Sequence, residues 1–356
     1  MKILEKPKTI ISNPDSVFGY FAWPTIARLK DGNLACSCSG FRIRHICPFG
    51  KAVISYSRDE GKTWTHPSVV IDTPLDDRDS GLCVSNDKVI MTSFNNTPAE
   101  QKNWVERSVA RGDTSPSLNL WRGYLSVVKD DAVEKYYGST YKISYDGGYT
   151  FGELRKSPVT SPHGPFVAND GRIIWVGKTF SIREKENGIA LAEMDENENF
   201  VIKTVLPDLP DKYENCLPCE PHAVQLKDGT IIVEIRVQKD GLFTILQSES
   251  YDNGVSFTVP HQIIPDLAGS PPHLLIHSSG KVVLTYACRH ENYGIKAIIS
   301  DDGCKTFSPE ITLTGNALSP DLGYPASVER EDGSIITVYY EKEENFAVIK
   351  QVIWEL

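Results

Sequence analysis

A chain of 356 residues with 40% hydrophobic side chains, 26 Gly and 22 Pro suits many short strands and turns. Its net charge of −10 argues against a nucleic-acid partner, and an anionic ligand would need a local cluster of arginines to overcome that field. No run of eighteen apolar residues occurs, so neither a membrane span nor a membrane partner is expected.

The first element, Ile3 to Ile11, alternates as a strand does and includes Glu5, Lys6 and Lys8 just after Lys2. That is not the pattern of a signal peptide, so a cytoplasmic location is expected. The eight cysteines are then expected as buried thiols. Cys216 and Cys219 form a CxxC with no second pair or matched histidines, so no metal or organic cofactor is expected.

Further along the chain, pairs that favour tight hairpins mark regular stations: Asp31-Gly32, Asn86-Asp87, Asp170-Gly171, Asp228-Gly229, Ser279-Gly280 and Asp332-Gly333. They recur every 51 to 58 residues, with one interval of 84. Each is followed by a β-rich run such as Ile231 to Val237 or Val282 to Ala287. The long interval holds an insertion, about 97–135, with Trp104, Arg107, Arg111, Trp121 and Arg122 among polar residues. It reads as a lid, as a contact between copies in a homo-oligomer, or as a plain surface elaboration. The last run, Phe346 to Ile353, alternates and is expected to pair with Ile3 to Ile11, protecting both edges.

A second repeat lies between these stations. Ser57, Asp59, Gly61, Thr63 and Trp64 return as Ser144, Asp146, Gly148, Thr150 and Phe151. They return again as Ser250, Asp252, Gly254, Ser256 and Phe257, and as Ser300, Asp302, Cys304, Thr306 and Phe307. Asp195 and Phe200 keep the spacing in a decayed copy. The Asp can accept backbone N–H bonds of a turn while Gly supplies a positive φ; this is architecture, not catalysis. The repeat resembles the Asp-box of sialidase-like propellers. The resemblance implies an all-β, six-bladed β-propeller filling residues 1–356 as one domain.

In a propeller the innermost strands converge on one face near the axis. Trp23, Asp79, Glu220 and Tyr324 stand at equivalent points, three of them directly before Pro24, Pro221 and Pro325. The ends of the second strands add Arg42, Lys178, Arg236, Arg289 and Glu341. Carboxylates, a phenol and guanidinium groups on one face suggest a site for an acidic sugar.

The segment from Glu220 to Glu234-Ile235-Arg236 looks like the fourth blade of bacterial sialidases, and Gly323-Tyr324-Pro325 with Tyr339-Tyr340-Glu341 looks like the sixth. The resemblance implies that Tyr324 is the nucleophile, Glu220 the base that activates it, and Arg236 and Arg289 the holders of a carboxylate. It also implies that Glu341 orients an arginine. A phenol needs such a base because its pKa is near 10.

The departures lie early in the chain. Phe21-Ala22-Trp23-Pro24 stands where sialidases carry a first arginine, and Gly40 to Gly50 stands where their acid Asp is expected. Arg42, Arg44 or Arg78 would supply the replacement charge, and Asp77, Asp79 or His45 the proton. The stretch Asp76 to Asp79 also reads as a solvated ion-pair turn, and Trp23 as a sugar platform or as core. His163, His222, His273 and His290 fall near the same face and read as scaffold.

The expected function is release of a terminal acidic sugar, of nonulosonic or uronic acid type, from an oligosaccharide or other small glycoside. A lyase acting beside a uronate carboxylate and a non-catalytic glycan-binding propeller are the alternatives.

Overall fold

The computed structural model describes residues 1–180, 188–266, 269, 271–290 and 292–356. Its strands form antiparallel sheets that follow one another in chain order around an axis, the arrangement of a β-propeller. One sheet runs Leu217–Gln225, Ile231–Lys239, Leu242–Ser250 and His261–Gln262; the next runs His273–Ile276, Val282–Cys288, Gly294–Ser300 and Ile311–Thr312. In two others the innermost strand is split. Asp76–Arg78 and Leu82–Val84 both pair with Val89–Asn96, and Val159–Thr160 and Phe166–Val167 both pair with Ile173–Thr179.

Six blades were expected, and among the described residues the hydrogen bonding gives five sheets. The reason is local: a parallel bridge from Tyr20 to Ala347 fuses the first and last units into one eight-stranded sheet. Lys2–Ile11 pairs antiparallel with Ala347–Glu355, so the two ends of the chain cover each other's edges. Apolar residues from neighbouring sheets mix in shared clusters. Ile174, Val176 and Leu191 pack with Ile231, Val233 and Leu246, and Val283, Ala297 and Leu313 pack with Tyr339 and Trp354.

The repeated turns hold the outer corners. In the first, Asp59 accepts from the Thr63 backbone N–H at 2.8 Å and from its hydroxyl at 2.6 Å, while Gly61 N–H donates to Ser57 Oγ at 2.9 Å. The same bonds recur around Asp146, Asp252 and Asp302. Cys304 takes the glycine position at φ 66, a left-handed conformation that costs a residue with a Cβ. Trp64 of the first turn donates to Gln351 at 2.9 Å, tying the turn to the last strand.

The insertion folds as three helices, α1 (Pro98–Ala110), α2 (Ser117–Val127) and α3 (Asp130–Tyr136). Thr97 and Glu100 cap α1 reciprocally and Pro98 opens it. Val105, Leu118 and Trp121 bury against Cys47, Ile43 and Phe49, seating the helices on the loop after Leu34–Arg42.

Candidate active site

Three innermost strands carry a register shift, and each shift spans a site candidate: Ala22/Thr25 around Trp23, Cys219/His222 around Glu220, and Gly323/Ala326 around Tyr324. Asp79 sits in the break of the fourth. All four have positive φ, 57, 48, 51 and 27 in that order. Bulges re-aim side chains, and strained backbone of this kind collects at functional sites. Proline follows three of them and has no N–H to give a strand ladder, which suits the same break.

The bulges bring Glu220 and Tyr324 together. Tyr324 Oη donates to Glu220 Oε1 at 2.6 Å. Arg236 pairs with the other carboxylate oxygen, lies 3.4 Å from Tyr324 Oη, and is braced by Gln238. Arg289 donates through Nε and Nη2 to the Leu322 carbonyl at 3.1 and 2.8 Å, which sets its guanidinium 5.6 Å from the Tyr324 ring.

The electrostatics follow from burial and charge. Burial pushes the Glu220 carboxyl up, but Arg236, the Tyr324 hydrogen bond and Arg289 outweigh it and leave the group below its usual value. It is therefore ionised. Burial, with the negative charges of Glu220 and Asp79, raises the Tyr324 phenol well above its usual value. At rest Tyr324 holds its proton and donates it in a hydrogen bond to an ionised carboxylate.

Asp79 and Glu220 also line one cavity of about 350 Å³, together with Lys178, Asn95, Asn96 and Phe180. Asp79 is buried, its Oδ1 has no partner among the described residues, and burial raises it to about 7 against the opposing pull of Arg78.

Other expected residues are placed differently. Asp77 is locked by Thr73 (2.6 Å from its N–H, 2.8 Å from its hydroxyl), so it braces the loop and does not face the site. Arg44 turns to the insertion, bonding Asp113 at 2.6 Å and standing 5.6 Å from the rings of both Trp104 and Trp121. Glu341 pairs with Lys350 at 3.0 Å and is bonded to no arginine among the described residues. Trp23 is 0% exposed and cannot be a sugar platform. Arg42 is likewise 0% exposed, bonded to Asp76 at 2.7 Å and stacked 4.8 Å from the Trp23 ring centroid. Arg78 stacks on the same ring at 4.1 Å. Its positive charge opposes the rise of the Asp79 pKa.

His45 is turned through Nδ1 to Asp321 at 3.0 Å. Asp321 also accepts from Tyr20 at 2.9 Å and Tyr340 at 2.8 Å. Sequence reasoning missed Asp321, Tyr20 and Gln238. The one signal for Asp321 was its place three residues before Tyr324. His163, His222 and His273 meet on the axis, His222 and His273 stacked at 4.4 Å.

No family model matches the chain, and no curated protein matches its sequence. Solved structures do. A protein of unknown function from Dyadobacter fermentans superposes with a TM-score of 0.78 at 20% identity, over 99% of this chain and 98% of that one. The NanB sialidase of Streptococcus pneumoniae gives 0.69 at 14% identity, over 99% and 71%. The intramolecular trans-sialidase of Ruminococcus gnavus gives 0.63 at 14%, over 96% of each. The chain has a sialidase-like propeller scaffold; at these identities the likeness is one of fold.

Proposed function

We propose that this chain is an exo-acting glycoside hydrolase that releases a terminal acidic sugar, of nonulosonic or uronic acid type, from a small glycoside. The observation that carries the reading is the 2.6 Å bond from Tyr324 to Glu220 with Arg236 bridging both. Glu220 and Tyr324 lie 104 positions apart in sequence, each on a bulged strand. Glu220 takes the phenolic proton as Tyr324 attacks, which avoids the repulsion a carboxylate nucleophile would meet from an anionic sugar. Arg236, Arg289 and Arg78 supply the positive charge for the acidic group. Asp79, raised to about 7, offers a neutral carboxyl to the sugar in the cavity beside Glu220. The scaffold shared with sialidases supports the reading. On it, the eight-stranded sheet counts as two blades, giving six around the axis.

The test is an NMR time course with sialosides, other nonulosonic-acid glycosides and uronides, comparing wild type with Tyr324→Phe. A free-sugar signal that the variant abolishes is expected. An unsaturated product would replace the hydrolase by a lyase. Binding without turnover, unchanged in the variant, would make the chain a glycan-binding module.

A further inference from the structure

A second cavity, about 740 Å³, lies between the loop after Leu34–Arg42, the insertion and the last hairpin, and the Trp23 ring beside its His45 stands 6.3 Å from that of Tyr324. Its wall includes Tyr20, His45, Trp104, Asp321, Lys342 and Phe346. His45 shows 45% of its side chain to this space, and its ring stands edge-on to Trp23 at 5.1 Å. Asp321 is held ionised: burial raises it, but the bonds from His45, Tyr340 and Tyr20 bring it down to about 2. An ionised carboxylate only accepts, so Nδ1 of His45 carries the hydrogen, and Nε2 has no hydrogen-bond partner among the described residues on a side chain that is 45% exposed. A base oriented by a third group, with its working nitrogen open to a ligand space, is the arrangement that proton transfer needs.

We propose that His45, positioned by Asp321, passes the proton to and from the glycosidic oxygen, and that this cavity receives the leaving group. The inference rests on the reading of Tyr324 as nucleophile. In the first step Tyr324 Oη bonds to the anomeric carbon, its proton passes to Glu220, and the glycosidic C–O bond breaks as the leaving oxygen takes the Nε2 proton of the imidazolium. In the second, water bonds to that carbon and gives its proton to Nε2; the bond to Tyr324 breaks, and Glu220 returns the proton to the phenolate. Asp79 is the other candidate, but it shares its cavity and its field with Glu220, the base.

The groups facing His45 set its working range. Burial lowers its pKa below 6.5, the Asp321 charge opposes this, and Arg78 and Arg42, which hold its carbonyl oxygen at 2.8 and 2.9 Å, add to it. Tyr20 lies 3.1 Å from Nδ1, Tyr340 reaches it through Asp321, and Arg44, Lys342 and Glu344 share the cavity wall. The acid form is thus populated below neutral pH.

The experiment uses the methyl and 4-nitrophenyl glycosides of the sugar turned over above. His45→Gln should lose about 100- to 1000-fold in kcat on the methyl glycoside, whose leaving oxygen needs a proton, and under about tenfold on the nitrophenyl one, which does not. The alkaline fall of the wild-type methyl-glycoside rate, centred below pH 6.5, should vanish in that variant. Asp321→Asn, which removes the charge that supports the imidazolium, should move that fall to lower pH. It should also disturb the Nδ1–H tautomer seen by nitrogen NMR. Equal losses on both substrates, or an unchanged methyl-glycoside rate, would overturn the proton role. A wild type inert on every glycoside would instead bring down the hydrolase reading and this inference with it.

Discussion

Arg236 reaches both the buried Tyr324 and the half-buried Glu220, yet the two end in opposite states because the close ion pair favours charge on Glu220 while the phenol stands among carboxylates. Arg236 pairs with Glu220 and keeps it ionised, whereas the phenol feels Glu220 and Asp79 and stays protonated. Removing Arg236 therefore acts on the base before it acts on any substrate. Arg236→Met should raise the Glu220 pKa, shift the acid limb of the pH–rate profile to higher pH and lower kcat/KM by about 100-fold or more. Arg236→Lys should restore much of the limb's position and less of the rate, since Lys cannot hold two partners with a planar fork. A profile that does not move would separate Arg236 from the base. The Tyr-Glu-Arg set was legible because Glu220 and Tyr324 precede, and Arg236 follows, a recognisable hairpin. His45 and Asp321 were not legible as a pair, because 276 residues separate them and neither lies in a repeat.

At the level of elements, the bulged inner strands and the repeated turns divide the work between function and stability. The turns are built for glycine to different degrees. Gly61 has φ +83 and a Cβ there would lie 2.7 Å from Ile336 Cδ1, whereas Gly32, at φ +87, has nothing within 4 Å. In urea titrations Gly61→Ala should cost about 2 kcal/mol or more and Gly32→Ala about 1 kcal/mol, the second being backbone strain alone. Equal losses would mean that packing at the turn contributes little. The inner strands face a different need, since their edges meet no partner strand across the axis. Histidine rings take two of those N–H groups: Leu274 N–H donates to His222 Nδ1 at 2.9 Å and Ser327 N–H to His273 Nδ1 at 3.3 Å. Burial lowers His222 to about 3. Between about 3 and 6.5 the unfolded chain binds a proton at this site and the native chain does not. The stabilising contribution is therefore complete above pH 6.5 and lost as pH falls, at about 1.4 kcal/mol per unit. His222→Asn should flatten the stability curve by that slope in acid denaturation; an unchanged slope would place the acid sensitivity elsewhere.

For the molecule as a whole, closure depends on the first strand covering the last. Deleting residues 1–12 removes the pairing of Lys2–Ile11 with Ala347–Glu355 and exposes a strand edge. The expected result is a melting temperature lower by several degrees and faster aggregation, read by calorimetry and light scattering. An unchanged Tm would mean that the Tyr20–Ala347 bridge and the Trp64–Gln351 bond suffice to close the ring. The sequence by itself determined the β-repeat architecture, the turn chemistry, the pairing of the termini and the candidates Glu220, Tyr324 and Arg236, because these are written in local patterns that recur at fixed spacing. Only the tertiary structure decided which early residues join them. It buried Trp23 and Arg42, sent Arg44 to the helical insertion, locked Asp77 into a loop and placed His45 against Asp321. Those outcomes depend on which groups from distant strands meet around the axis and on how much water they keep, and burial and charge pairing of that kind have no local signature.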